Sequence, residues 1–311
     1  MARLETVFVL GAGASLAYGY PTGADLARFL AKLHLQADSP LEGRRSEVET
    51  FCNELRLSGC DSIDTFLENR DDLRDIGPAW LLERIGELEF TYKENPFSTK
   101  EDDLRDHWYK YMFNRLIPDG MKFEHVAALG VTFVTFNYDR SLEHFWHTAL
   151  QHRFNTSSDA ARDAQEAYFP VIHVYGDVGP LPWQTGADDI GRPYGCRWTP
   201  SVHARCCERI ALITDGSPRS GPIVRARTAI INAKAIFFLG FGYHRTNMKR
   251  LQIPFGKSGL FTTGTAFRVS KARRAHLRTK YTSLQLYDSD NEICDFLEDS
   301  AAFIQITDPD M

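Results

Sequence analysis

The chain carries six cysteines, Cys52, Cys60, Cys196, Cys206, Cys207 and Cys294, yet none of them forms a Cys-x-x-Cys pair. That spacing excludes a zinc ribbon and signals no disulfide framework, so the thiols predict a reduced, cytoplasmic protein. Long apolar runs are missing as well. No stretch approaches the ~18 apolar residues of a membrane span, and the opening MARLETVFVL is too short an apolar run for a secretory leader. Positive charge is not in excess: 36 Lys and Arg stand against 41 Asp and Glu, for a net charge of −5. A broad basic footprint for nucleic acid is therefore absent. Arg273, Arg274, Arg278 and Lys280 form a local basic cluster, which reads as the solvated face of a late helix. Internal repeats and low-complexity tracts are lacking too. What is present, 43% hydrophobic and 25% charged residues in a chain of 311, suits a globular enzyme able to bury a full core.

Apolar, β-branched runs predict strands at Thr6–Leu10, Val131–Phe136, Pro170–Tyr175, Ala235–Leu239, Ala266–Val269 and Phe303–Ile306. Helix-periodic segments separate them at Ala24–Leu35, Asp139–Leu150, Pro222–Ala233, Ala272–Thr279 and Asn291–Ser300. This alternation predicts an α/β fold, a Rossmann-like doubly wound parallel sheet. Residues 36–124 break it. They read as successive helices, Val48–Leu57, Ile63–Asn69, Trp80–Tyr92 and Leu104–Leu116, and so as a helical subdomain inserted into a single domain spanning 1–311. Residues 176–221, rich in Gly, Pro, Asp and Trp, predict a long irregular loop, which in a compact domain is usually functional or flexible.

Polar groups collect where the predicted strands end. VFVLGAGASLAYGYPTG runs from a strand into Gly11-Ala12-Gly13, a turn whose backbone amides suit a pyrophosphate, with the hydroxyl of Ser15 close by. The same turn can also be a plain strand-to-helix connection. Leu16 replaces the third glycine of the dehydrogenase fingerprint, and no ribose-holding acid follows ~20 residues on, which disfavours hydride transfer. VTFVTFNYDRSLEHF delivers Asn137 to the same crevice, with Asp139 placed to cap the next helix. PVIHVYGDVG puts His173 and Tyr175 on one strand face, as a catalytic or simply a packed pair. AIFFLGFGYHRTNMKRL ends a further strand in Gly240-Phe241-Gly242, with His244, Arg245 and Asn247 following. His144 and His147 have helical spacing beside Glu143 but lack a third ligand, so they read as packing or surface residues and no metal is expected.

Together these motifs resemble the sirtuin-like (silent-information-regulator-like) family. GAGASLAYGYPTG resembles its Gly-Ala-Gly-x-Ser…Gly-x-Pro loop, TFNYD its Thr-x-Asn-x-Asp, VIHVYGD its strand-His-Gly element, and FLGFGYHRTN its distal Gly-x-Gly loop. The protein deacetylases of that family carry Asp-Phe-Arg after Gly-x-Pro, and a four-cysteine zinc module. Here Thr22-Gly23-Ala24 follows Pro21, and the cysteine pairs are missing. Both departures point to the bacterial defence branch, whose members hydrolyse NAD+ to nicotinamide and ADP-ribose. Tyr175 occupies the place of the family histidine that precedes the glycine, and His173 lies two residues earlier, about 6.6 Å along the strand.

The resemblance implies NAD+ as substrate, with Asn137, Asp139 and His173 or Tyr175 as catalytic residues. Gly11, Gly13 and Ser15 would hold the pyrophosphate and Gly240, Gly242 and Asn247 would face the adenosine half, with Ala12, Pro21, Thr22, Tyr243 and His244 as further cofactor-binding residues. It also implies an antiviral, NAD-depleting effector that is silent until triggered. The trigger would be homo-oligomerisation or a separate sensor, by family analogy a nucleotide-sensing partner resembling an inosine-triphosphate pyrophosphatase. A non-catalytic NAD or ADP-ribose-binding regulator is the main alternative, and a deacylase or a dehydrogenase fits less well.

Overall fold

A computed structural model describes residues 5–98, 107–185, 191–207, 210, 221–287 and 292–307. Six strands, β1 (Thr6–Leu10), β2 (Val131–Thr135), β3 (Val171–His173), β4 (Ala235–Leu239), β5 (Phe261–Gly264) and β6 (Leu284–Leu286), lie in the order β3-β2-β1-β4-β5-β6. All pairings are parallel. A parallel sheet needs helical crossovers on its faces, so its central strands must be apolar on both sides. β1 and β4 meet that demand, being buried at every position. The result is a Rossmann-like α/β fold.

In the core, Phe8 stacks on Phe133 and Phe237, with ring centroids 5.7 and 5.0 Å away, and all three are fully buried. Burying such a ring contributes on the order of 1.5–3 kcal/mol. Register then fixes the business end. Leu10 lies opposite both Thr135 and Leu239, and Thr135 lies opposite His173, so the loops after β1 to β4 leave from one edge of the sheet.

Helix α1 (Gly23–Leu30) follows the first turn, and α2 (Arg45–Ser58), α3 (Ile63–Glu68), α4 (Ile76–Thr91) and α5 (Trp108–Leu116) occupy the expected helical insertion. Among its described residues there is no strand; residues 99–106, including the start of the helix expected from Leu104, lie outside the described residues. α4 buries Trp80, Leu81, Leu82 and Ile85 around its circumference, as a helix enclosed by others must. α6 (Ser141–Phe154) and α7 (Ser158–Tyr168) connect β2 to β3. α8 (Pro200–Cys207), α9 (Gly221–Asn232), α10 (Arg245–Leu251), α11 (Lys271–Lys280), α12 (Ile293–Asp299) and α13 (Ala301–Thr307) complete the chain. Among the described residues no helix is long and apolar enough to cross a membrane.

Several expected elements are corrected. The fifth strand is Phe261–Gly264, not Ala266–Val269, because pairing with β4 sets Ala235 opposite Phe261; the chain then leaves the sheet and Arg268 turns it with φ at +57°. Phe303–Ile306 is helix, since an apolar run this short suits either period and Phe303 packs edge-on to Phe8 and Phe237. β6, with Gln285 between its leucines, and α7 had no counterpart in the sequence reading. Within 176–221 the segment Pro200–Cys207 is helical; 186–190, 208–209 and 211–220 lie outside the described residues, as does Asn291 of the helix expected from there to Ser300.

Candidate functional site

The first turn is built by contact between two loops. Gly11 N donates to Leu239 O at 3.1 Å and Gly13 N to Gly240 O at 3.0 Å, which closes the loop after β1 onto the loop after β4. A Cβ on Gly11 would stand 2.6 Å from Gly240 O, and one on Gly240 would stand 2.1 Å from Ala14 N. Gly240 also has φ at +56°, where only glycine is unstrained. These amides are committed inside the protein, so the glycines act here by permitting backbone approach. Ala12 opens a 3-10 turn, Ala12–Tyr18, that α5 grips: Trp108 Nε1 donates to Ala14 O at 2.8 Å and Tyr109 N to Tyr18 OH at 2.9 Å. Pro21 and Thr22 are half-buried before α1, and Thr22 Oγ1 donates to Asp25 Oδ2 at 2.5 Å.

Just beneath the turn lies a polar cluster. Asn137, delivered by β2, donates through Nδ2 to Gly11 O at 3.0 Å and to Ser15 Oγ at 2.8 Å. Ser15 Oγ in turn donates to Asp139 Oδ2 at 2.7 Å. The N-cap position of α6 is Arg140, not the expected Asp139; Asp139 Oδ1 accepts from Ser141 N at 3.2 Å just before the helix, and it also accepts from the Ser141 hydroxyl, which lies 2.9 Å from Tyr109 OH. Burial raises the Asp139 carboxyl above its ordinary value, against the pull of the serine hydrogen bonds. Asn137 Oδ1 is buried and receives no hydrogen bond among the described residues.

His173 closes the cluster from β3. Its Nδ1 lies 2.8 Å from the Asn137 backbone carbonyl and its Nε2 contacts Glu143 Oε1. Burial disfavours the imidazolium, but the Glu143 carboxylate outweighs it and pushes His173 up to about 9. At neutral pH the ring is therefore charged and both nitrogens donate within the protein. Glu143 Oε2, like Asn137 Oδ1, receives no hydrogen bond among the described residues. Ser15, Asn137, Asp139, Glu143 and His173 border a cavity of about 10 Å³, roughly what one water molecule requires.

Tyr175 belongs to a neighbouring group. Its hydroxyl donates to Asn247 Oδ1 at 2.6 Å, and Arg250 lies 5.1 Å from its ring centre. Phe136, next to Asn137 in the chain, packs against both Tyr175 and Phe241. Arg273 donates to Gly242 O at 2.8 Å, beside His244, whose pKa burial lowers. Tyr243 is buried, with its hydroxyl donating to Thr265 O at 2.9 Å. Gly240 thus borders the Gly11–Asn137 side, whereas Tyr243 supports the loop from behind.

Glu143, Ser141 and Tyr109 were missed in the sequence as site residues. The available signal was proximity, because Glu143 lies four residues after Asp139, in the first turn of the helix that begins at Ser141. His144 and His147 on that helix stack on Tyr194 and Trp183, both at 4.2 Å, and so hold residues 183 and 194 against it. Deeper still, Glu89 of α4, fully buried, pairs with Arg140 at 2.8 Å and with Arg192 at 2.8 Å. Among the described residues no group of His, Cys, Asp and Glu could hold a metal ion. Compared with protein-family models and with curated proteins, the chain matches none.

Proposed function

We propose that the chain is an NAD+ glycohydrolase of the sirtuin-like kind, releasing nicotinamide and ADP-ribose. One observation carries the reading: the Asn137 carboxamide is fixed through Nδ2 on Gly11 and Ser15, its Oδ1 and Glu143 Oε2 are buried without hydrogen-bond donors among the described residues, and both residues line the same small cavity. A water molecule has two O–H groups to donate, and these are two acceptors for it. Unsatisfied buried acceptors are costly, so their pairing around one cavity favours a ligand with hydroxyl donors.

In the proposed reaction the bond from ribose C1′ to the nicotinamide nitrogen breaks, and the electron pair leaves with nicotinamide, which departs neutral. Positive charge grows on the ribose as in glycoside hydrolysis. Water held by Asn137 and Glu143 bonds to C1′, and its proton passes to the Glu143 carboxylate and on to solvent. Asp139 and Ser15 keep the carboxamide aligned. His173, with both ring nitrogens engaged, positions Asn137 and Glu143. Tyr175 and Asn247 serve the far side of the crevice with Gly240, Gly242 and His244.

The cavity admits a water but not a ribose, so substrate entry requires the crevice to widen. That suits an NAD-depleting effector of antiviral defence kept closed until self-assembly or a nucleotide-sensing partner opens it, in the cytoplasm. The same closure, with Tyr175 in the place of the family histidine, favours a second reading: a regulator that binds NAD+ or ADP-ribose without cleaving it. Incubation with NAD+ at rising protein concentration, followed by chromatography of nicotinamide, separates the two. Release that disappears in Asn137→Ala supports hydrolysis. Calorimetric binding with no nicotinamide at any concentration selects the regulator.

A further inference from the structure

A cavity of about 170 Å³ lies away from the strand ends, against the helical insertion. Its walls come from the 34–40 segment, from α4, and from Arg197 and Trp198. At the ~10–15 Å³ a water needs, this is space for a small ring compound.

The acidic groups around it are not equally satisfied. Glu87 is satisfied by His34 at 2.7 Å and by Arg84, and Asp38 by Arg197 at 3.2 Å. Glu83 is different. Its side chain is only 14% exposed, and no hydrogen bond reaches its Oε2 among the described residues. The nearest cation candidate is His203, whose Nε2 is 3.7 Å away but which faces the Ala79 carbonyl at 3.1 Å. Burial lowers that imidazole to about 4, so it is neutral at pH 7 and offers Glu83 no charge; burial raises the Glu83 carboxyl, against the pull of a Ser39 hydrogen bond and the Arg84 charge.

The aromatic walls supply the second half of a recognition site. Arg192 lies 4.0 Å from the centre of the Trp198 ring and Arg197 lies 4.8 Å from that of Phe90. Both rings therefore already attract flat, delocalised cations, as their electron-rich faces should. A phosphate or carboxylate would instead meet Glu83, Glu87 and Asp38.

We propose that this cavity is a binding site for a small planar organic cation, an amidine or a protonated heterocyclic amine, that pairs with Glu83 and lies against Phe90 and Trp198. The site is independent of the reaction assigned to the strand ends, and its occupancy is measured without NAD+. Benzamidine, benzamide and benzoate share one shape and differ in charge, so calorimetric titration of the full chain with each of them isolates the recognition. Benzamidine should bind, benzamide at least about tenfold more weakly, and benzoate not at all, since a charge-assisted hydrogen bond to a carboxylate is worth about tenfold or more. Glu83→Gln should remove most of the benzamidine affinity with the melting curve unchanged. Should that variant fail to fold, Phe90→Ala, at a position 38% exposed, tests the aromatic wall and should weaken benzamidine several-fold. Equal binding of benzoate and benzamidine, no heat from any of them at millimolar concentration, or full affinity in the variants would overturn the proposal.

Discussion

Asn137 and Ser15 stand 122 residues apart in the chain, yet the carboxamide of one donates to the hydroxyl of the other at 2.8 Å. Ser15 passes that bond on to Asp139, so the side chain that would meet substrate is aligned by a relay anchored just before the start of a helix. Removing the carboxamide with Asn137→Ala should reduce nicotinamide release by about a hundredfold or more, the scale of losing one preorganised polar group. The fold should survive at a cost of about 1–2 kcal/mol for the lost hydrogen bonds. Turnover equal to the parent in a folded variant would remove Asn137 from the reaction.

Ser15→Ala separates alignment from chemistry. The substitution leaves Asn137 Nδ2 with Gly11 O and Asp139 with its Ser141 bonds, so each partner loses one contact and keeps another. Activity should fall in kcat by about tenfold with KM little changed, because the carboxamide is present but less fixed. Loss of binding with intact kcat would contradict an aligning role. Thermal melting checks that the drop is not unfolding.

The His173–Glu143 pair makes stability depend on pH. The folded value of His173 is about 9 against an ordinary 6.5, so its contribution is fully present below about 6.5 and disappears as pH rises through 9. The shift corresponds to roughly 3 kcal/mol. Urea denaturation at pH 6 and pH 9.5 should therefore show the parent losing a few kcal/mol more than Glu143→Gln, in which burial alone governs the imidazole. Equal losses in both proteins would show that the ion pair does not form.

How much of this was open to sequence reading depends on which physical constraint sets each element. TVFVL and AIFFL were legible because a central parallel strand must be apolar on both faces, and few other elements look like that. LQL was not, being a three-residue edge strand with a polar residue in its middle. AAFIQIT fits either period, and its helical state is decided by where Phe303 finds Phe8 and Phe237, a tertiary matter. In the site, Asn137, Asp139 and His173 were legible because strand ends deliver side chains to a common rim. Glu143 was hidden one helical turn beyond, and Glu89 sits in an insertion whose sequence gives no hint of its partner at Arg140. Nor could sequence show that the glycine amides at 11 and 13 bond to the β4 loop.

That loop contact gives a sharp test. A methyl on Gly240 would lie 2.1 Å from Ala14 N and 2.3 Å from Gly13 C, both backbone atoms that cannot swing aside, and φ is +56°. Gly240→Ala should destabilise by more than about 3 kcal/mol, beyond the ~1 kcal/mol that the dihedral alone costs. Gly43 is the control: a Cβ there meets nothing within 4 Å, so Gly43→Ala should be neutral or slightly stabilising. Similar melting temperatures for both variants would mean that the two loops do not touch.

Glu89 tests how the insertion is tied to the site. It is fully buried, its Oε1 accepts from Gly195 N at 2.8 Å, and it holds Arg140 and Arg192, with exposures of 1% and 3%. Arg140 directly follows Asp139 and also donates to the carbonyls of Gly179 and Pro180, both at 2.9 Å. The carboxylate thus joins α4, the start of α6 and residues 179–180 and 192–195 at one point, and its pKa is lowered because the two guanidiniums outweigh the burial that would raise it. Glu89→Ala leaves two buried cations without their anion and should cost about 3–5 kcal/mol, whereas Glu89→Gln keeps the hydrogen-bonding shape and should cost less. The second variant is the informative one. With the fold retained, hydrogen exchange should speed up in 176–185 and 191–198 while the β1 and β4 amides stay protected, because only the segment pinned by Arg140 and Arg192 is released. Uniform loss of protection would instead make Glu89 a general core residue with no particular hold on those two segments.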